Sequence, residues 1–110
     1  MLLRNAMWLL FVALVWSSCF NNPEKVTHKA RTVVIKQMQF QPAELTVEPG
    51  DTVVWINHDF VDHDVTEESS KAWTSSILPA GKSWSMVVTE SSNYYCAIHQ
   101  VMKGKIKLAN

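Results

Sequence analysis

Hydrophobic positions from residue 32 onward fall into short runs that turn residues interrupt. The runs TVVIKQMQF (32–40), AELTVEPGDTVVWIN (43–57) and SWSMVVT (83–89) are rich in β-branched and aromatic residues. KGKIKL (103–108) alternates lysine with glycine, isoleucine and leucine, as a strand with one buried face does. No run has helical periodicity. The pattern therefore predicts an all-β fold, an antiparallel Greek-key β-sandwich of about seven or eight strands.

The first twenty residues follow a different pattern. Arg4 precedes an apolar run over 6–16 and then small residues, which is the layout of an export signal. The run is shorter than the ~20 apolar residues that a membrane span needs. We predict an export signal at 1–18, a polar tether at 19–30 and one folded domain at 31–110.

Cys19 follows two serines and resembles the lipid-modified cysteine of bacterial lipoproteins. Lipidation of Cys19 would associate the protein with a membrane. Trp16 stands where such signals usually carry an aliphatic residue, so cleavage with plain secretion and an uncleaved anchor are the alternatives. Export predicts a periplasmic or extracytoplasmic location for the domain.

Charge is balanced over the chain but unevenly distributed along it. Ten Lys and Arg offset ten Asp and Glu, so we expect no nucleic-acid partner on electrostatic grounds. An acidic run covers residues 59–68, and lysines alternate along 103–107. We interpret both runs as solvated surfaces.

The two cysteines of an exported protein first suggest a disulfide. If Cys19 is acylated, or removed with the signal, Cys96 is left alone. A lone thiol is a liability in an oxidising compartment unless something occupies it. A metal ion bound to Cys96 would remove that liability.

A metal is also indicated by the spacing C-x2-H-x2-M, which places Cys96, His99 and Met102 within seven residues. Cys96 alone would favour an ordinary buried strand, because free cysteine is often a small hydrophobic core residue. Thioether is a poor zinc ligand and a good copper ligand, and a c-type haem would need a second cysteine in C-x-x-C-H. Two histidines, one cysteine and a weak axial methionine define a blue-copper site.

Such a site needs a second histidine, and three are available. His28 lies in the predicted tether, and His58 is expected to be an exposed loop residue. His63 precedes Asp64-Val65, which looks like the start of a strand. We therefore favour His63, because a residue at a strand entry can point into a cluster of loops at one end of a sandwich.

Residues 31–110 resemble the small cupredoxins of the plastocyanin, pseudoazurin and amicyanin kind. The resemblance is carried by FQPAELTVEPGDTVVWINHDFVDHDV, LPAGKSWSMVVTE and YYCAIHQVMKGKI, and the short ligand loop is most similar to that of amicyanins. It implies that His63, Cys96, His99 and Met102 bind one copper ion. It also implies that the Asp64 backbone N–H donates to the Cys96 sulfur.

The function that this resemblance implies is single-electron transport by a type 1 copper protein. The expected partners are a redox donor and a redox acceptor that bind transiently to a monomer. We expect no enzymatic activity, because the ligand set leaves no open position for substrate. The main alternative is a protein that buffers or delivers copper, and a structural sandwich with a vestigial site is a third possibility.

Overall fold

The computed structural model describes Ala13 and residues 15–110, so most of the expected export signal lies outside the described residues. Residues 15–29 are exposed and form no regular structure. Eight strands follow: β1 (Ala30–Lys36), β2 (Gln39–Gln41), β3 (Glu44–Val47), β4 (Thr52–Asn57), β5 (Thr66–Glu67), β6 (Ser83–Val87), β7 (Ser92–Cys96) and β8 (His99–Leu108). Within the described part of the chain, no helix is long and apolar enough to cross a bilayer.

The strands form two four-stranded sheets, in the orders β2-β1-β4-β6 and β3-β8-β7-β5. The predicted all-β sandwich is confirmed. Its pairing is not purely antiparallel, however, because β1 pairs in parallel with β4 and β3 pairs in parallel with β8. A parallel pair needs a crossover connection. Here the chain leaves the first sheet after β2, contributes β3 to the second sheet and returns as β4.

The core between the sheets is mostly aliphatic, but it contains a cluster of packed aromatic rings. Trp55 and Tyr94 are fully buried, and their rings meet edge to face with centroids 5.4 Å apart, an arrangement that adds to simple area burial. Half-buried Trp73 and Trp84 cover Trp55 from the side. Gly104 is required opposite Tyr94, because a Cβ at that position would overlap the tyrosine ring.

The sandwich has two ends, which we name the Asp51 end and the His63 end. The parallel strands β1 and β4 both begin beside Asp51. Both finish near Asn57, whose side chain donates to the carbonyls of Val61 and Leu78 beside His63. Six residues of strand separate the ends by about 20 Å at ~3.3 Å per residue.

At the Asp51 end, the buried carboxylate of Asp51 connects the start of β1 to the turn that precedes β4. Asp51 is 1% exposed and accepts the backbone amides of Lys29 at 2.8 Å and Glu48 at 3.0 Å. The Lys29 amide is the main cause that lowers the pKa of Asp51, against the opposing effect of burial. Gly50 has φ +92°, and the His28 ring lies against it. The chain therefore enters the sandwich at this end in a fixed position.

Candidate metal centre

Three potential metal ligands converge at the His63 end. The Cys96 Sγ lies 3.8 Å from the His63 Nδ1 and 3.7 Å from the His99 Nδ1, and the two nitrogens are 3.1 Å apart. An ion bound at about 2.0 Å to nitrogen and about 2.3 Å to sulfur, with angles near 120°, would separate sulfur from nitrogen by about 3.7 Å. The donor atoms therefore already have the spacing that a shared metal ion requires.

Backbone pairing fixes all three side chains. His63 forms a bridge with Leu78, in which each amide donates to the other's carbonyl at 3.1 and 2.7 Å. Cys96 is the last residue of β7 and pairs directly with His99, the first residue of β8. The ligand loop is thus a two-residue hairpin turn, Ala97–Ile98, which keeps its two flanking ligands adjacent.

Met102 lies on β8 and is 2% exposed. It points to the interior side of the strand, together with Gly104 and Ile106. His28 and His58 are exposed and are not part of the cluster. Of the four predicted ligand residues, the structure groups His63, Cys96 and His99, and it buries Met102 in the core.

The pattern of the chain did not indicate the role of Asp59. Its Oδ2 lies 2.8 Å from the Nε2 of His63, the ring nitrogen that faces away from Cys96. Its two oxygens also accept hydrogen bonds from the backbone amides of Gln37 and Met38, at 2.8 and 3.0 Å. Burial acts to raise the pKa of Asp59, but the hydrogen bonds from Met38, His63 and Gln37 outweigh it and lower the pKa. A carboxylate on the outer nitrogen of a ligating histidine fixes the ring orientation and its tautomer.

Asp64 links the segment of His63 to the ligand loop. Its backbone amide lies 3.4 Å from the Cys96 Sγ, so the hydrogen bond implied by the cupredoxin resemblance is confirmed. Its carboxylate accepts the amides of Ala97 and Ile98 at 2.8 and 3.3 Å. The interpretation of the acidic run as a solvated surface is therefore wrong for Asp64, which is 4% exposed, and also for Glu67, which is 7% exposed.

The Cys96 thiol lies in a fully buried position. Burial is the main cause that raises its pKa, and the charge of Asp64 adds to the effect. Backbone amides of Asp64, His99 and Ile98 oppose the shift without reversing it. The metal-free residue is thus a neutral thiol at neutral pH, and a bound metal would displace its proton.

Several apolar side chains are exposed on the segments near the three ligands. We define the apolar rim as the exposed hydrophobic residues on the segments that carry or adjoin the three ligands: Met38, Phe60, Val61, Ile98 and Val101. Phe60 and Val101 are the most exposed, at 102% and 88%. His99 itself is half-buried, whereas His63 is fully buried. Exposed apolar residues concentrated at one place are typical of an interaction surface.

Comparison with known proteins identifies the family. The family model for copper-binding proteins of the plastocyanin/azurin family matches residues 27–109. The amicyanin of Paracoccus denitrificans is 31% identical over 88 residues, which are 74% of this chain and 67% of that protein. The amicyanin of Paracoccus versutus is 26% identical over 83 residues, covering 70% and 63%. The chain thus spans about two thirds of the length of these relatives.

Solved structures agree with this assignment. A Cu(I) form of an amicyanin variant matches with a TM-score of 0.69 at 30% identity, over 77% of this chain and 87% of that one. An oxidised amicyanin variant gives a TM-score of 0.67 at 28% identity, over 72% and 81%. The chain belongs to the plastocyanin/azurin family of copper-binding proteins. Its cofactor is one copper ion, which suits the imidazole and thiolate donors that the fold brings together.

Proposed function

We propose that this protein is a type 1 copper protein that carries single electrons, with His63, Cys96, His99 and Met102 as the copper ligands. The convergence of two imidazoles and one cysteine sulfur on one point is the observation that carries the proposal. A bound copper ion supplies one-electron exchange. The chain supplies fixed donor positions, because strand pairing holds His63, Cys96 and His99 before the metal arrives.

Burial of the site favours electron transport over copper delivery. The side chains of His63 and Cys96 are 0% exposed and Met102 is 2% exposed, so three of the four proposed ligands are closed to an incoming chelator. Only the ring of half-buried His99 lies near the surface. An electron can leave through an exposed imidazole edge, whereas transfer of the ion itself would require opening of the hairpin that carries Cys96 and His99.

The apolar rim is the proposed docking face for the redox donor and the redox acceptor. Ile98 and Val101 lie within two residues of His99 along the chain, so a partner that covers the rim would approach the most exposed ligand. Transient redox complexes bury small interfaces, generally below about 1,200 Å². A rim of five residues is compatible with an interface of that class. We expect the carrier to be a monomer between encounters and to have no enzymatic activity of its own.

The experiment that tests the proposal combines copper titration with redox cycling. The purified domain should bind one equivalent of copper and develop the intense visible absorption of thiolate bound to Cu(II). Repeated reduction and reoxidation in the presence of a chelator should leave the copper content unchanged. Loss of copper from the reduced protein would instead favour the buffering and delivery alternative, and a colourless protein with full copper occupancy would refute the type 1 site.

The proposed location is the periplasm or the outer face of a membrane. Cys19 is exposed and lies in the irregular segment that precedes β1, where an enzyme that attaches lipid would reach it. One acyl chain gives only marginal membrane binding, so stable attachment needs more than one. Fractionation of cells that express the full chain should find the mature protein with membranes, and Cys19→Ser should alter its processing. Soluble mature protein in both cases would support plain secretion.

A further inference from the structure

Asp64 contacts both segments that carry the proposed copper ligands. It directly follows His63, its backbone amide lies 3.4 Å from the Cys96 Sγ, and its carboxylate holds the two amides of the Ala97–Ile98 turn. The Oδ2 is also 4.0 Å from the Cys96 Sγ. A single buried side chain therefore sets the position of the ligand hairpin relative to His63.

The groups that face this carboxylate are hydrogen-bond donors. Besides the two turn amides, the Thr66 hydroxyl lies 2.7 Å from Oδ1, and Thr74 lies 2.9 Å from the Thr66 oxygen and can donate to it in turn. An ionised carboxylate is an acceptor only, so this arrangement suits the charged form. Among residues 15–110, no ion pair includes Asp64. Its charge is therefore buried without a protein cation beside it.

We propose that Asp64 is a positioning residue whose buried carboxylate also biases the copper site toward its oxidised state and so lowers the reduction potential. This inference rests on the proposed function, because it requires a copper ion bound by Cys96. The physical reason is Coulombic. A negative charge close to the coordinating sulfur stabilises the more positive oxidation state, and the attraction is stronger in a buried site than in water.

The first test compares Asp64→Asn with the wild type by voltammetry of the copper-loaded protein. The substitution keeps the shape of the side chain and removes its charge. At a fixed applied potential, the ratio of reduced to oxidised protein should rise at least tenfold, which corresponds to a potential about 59 mV higher for a one-electron couple. Asp62→Asn is the matched control, because Asp62 is exposed and only two residues away; its ratio should change less than threefold.

A second variant predicts the opposite sign. Thr66→Val removes one donor from the carboxylate and leaves the charge in place, so the ratio of reduced to oxidised protein should fall about two- to threefold. If Asp64→Asn does not fold, the reduction potential of Thr66→Val tests the inference instead. An unchanged potential in both variants, or equal shifts for Asp64→Asn and Asp62→Asn, would overturn the inference.

The positioning role can be measured without copper. In the metal-free protein, Asp64→Ala should speed hydrogen exchange of the Ala97 and Ile98 amides at least tenfold, because each loses its acceptor. Exchange at wild-type rates would overturn the positioning role. The failure of this inference differs from the failure of the proposed function: a colourless wild type would refute both, whereas a coloured wild type with unaltered variants would refute only the role of Asp64.

Discussion

Two hairpins turn at the His63 end, and an aspartate holds each turn. Asp59 accepts both amides of the Gln37–Met38 turn, and Asp64 accepts both amides of the Ala97–Ile98 turn. The first turn places two non-glycine residues at φ 54° and 58°, a conformation that usually selects asparagine and glycine. The second turn has no residue with positive φ.

The difference between the two turns shows what each aspartate contributes. Asp59 supports a turn of unfavourable backbone conformation and also orients His63 through its outer nitrogen. Asp64 supports a relaxed turn that lies between two ligands. We infer that the first turn serves the metal site indirectly, through His63, whereas the second turn is part of the metal site. The following predictions test that distinction.

The largest effect is expected from Cys96→Ser, which replaces the only thiolate of the cluster. The variant should lose the visible absorption completely, because a hydroxyl does not replace thiolate in a type 1 site. Circular dichroism should still report a β-sandwich, since serine is close to cysteine in size. Retained colour in the variant would place the thiolate ligand elsewhere.

The next effect distinguishes two histidines of one loop. His63→Ala should disrupt the copper spectrum, because it removes a proposed ligand whose ring Asp59 orients. His58→Ala should leave the spectrum nearly intact, since His58 is exposed and lies outside the cluster. Copper titrations of both variants, monitored in the visible range, provide the measurement. The reverse outcome would mean that the loop from Asn57 to Asp62 rearranges when copper binds.

Asp59→Asn should weaken copper binding by roughly 10–100-fold, the usual effect of removing a partner of a ligating histidine. Asp62→Asn, which changes the same charge on an exposed side chain, should leave the affinity unchanged. Competition with a chelator of known affinity measures both.

A double variant determines how Asp59 acts. Gln37→Asn with Met38→Gly relieves the positive-φ turn and should stabilise the domain by about 1 kcal/mol. Added to Asp59→Asn, it should restore stability in denaturant without restoring copper affinity. Recovery of the affinity as well would show that Asp59 affects the metal only through the turn.

The smallest effect concerns a third turn held by a carboxylate, that of Glu67, whose hydrogen bonds go to residues 69–72 and not to the proposed copper ligands. Glu67 accepts hydrogen bonds from the hydroxyl of Ser69 and the amides of Ser70 and Ala72, and these contacts hold the pKa of its carboxyl well below its ordinary value of about 4.5. A lowered folded-state pKa contributes stability that is present above about pH 4.5 and is lost as pH falls through the folded-state value. The free energy of unfolding of the metal-free wild type should therefore fall more steeply than that of Glu67→Gln between about pH 5 and pH 2.

The control for this pH prediction is the oxidised copper spectrum of Glu67→Gln at neutral pH. It should match the wild type, because Glu67 does not contact the ligands. If the free energies of unfolding of the wild type and the variant fall equally as the pH is lowered, the ionised form of Glu67 does not contribute to stability.

Much of this architecture was predictable from the sequence, because the strand pattern and the motif C-x2-H-x2-M are local signals. Alternation along 103–108 gave the buried face of β8. His63 was favoured over His58 because a strand was expected to start at Asp64-Val65, although β5 begins only at Thr66. The parallel pairs β1–β4 and β3–β8 were not predictable, since they depend on where each crossover returns.

The sequence pattern did not predict the roles of the aspartates, because those roles also depend on contacts that form only in the fold. Gln37–Met38 has no residue that marks a turn, and the groups that stabilise it come from Asp59, more than twenty residues away. Asp59, Asp64 and Glu67 belong to one acidic run, and sequence spacing does not distinguish a solvated carboxylate from one that accepts backbone amides. Only the folded arrangement brings each carboxylate to its turn.

The position of Asp51 has a practical consequence for attaching the protein to an electrode. Asp51 anchors Lys29 at the end of the sandwich opposite His63, and the exposed thiol of Cys19 lies ten residues before that anchor. A gold surface that captures the chain through Cys19 would therefore hold the Asp51 end. It would leave the apolar rim and His99 facing the solution, where a second redox protein has free access to them.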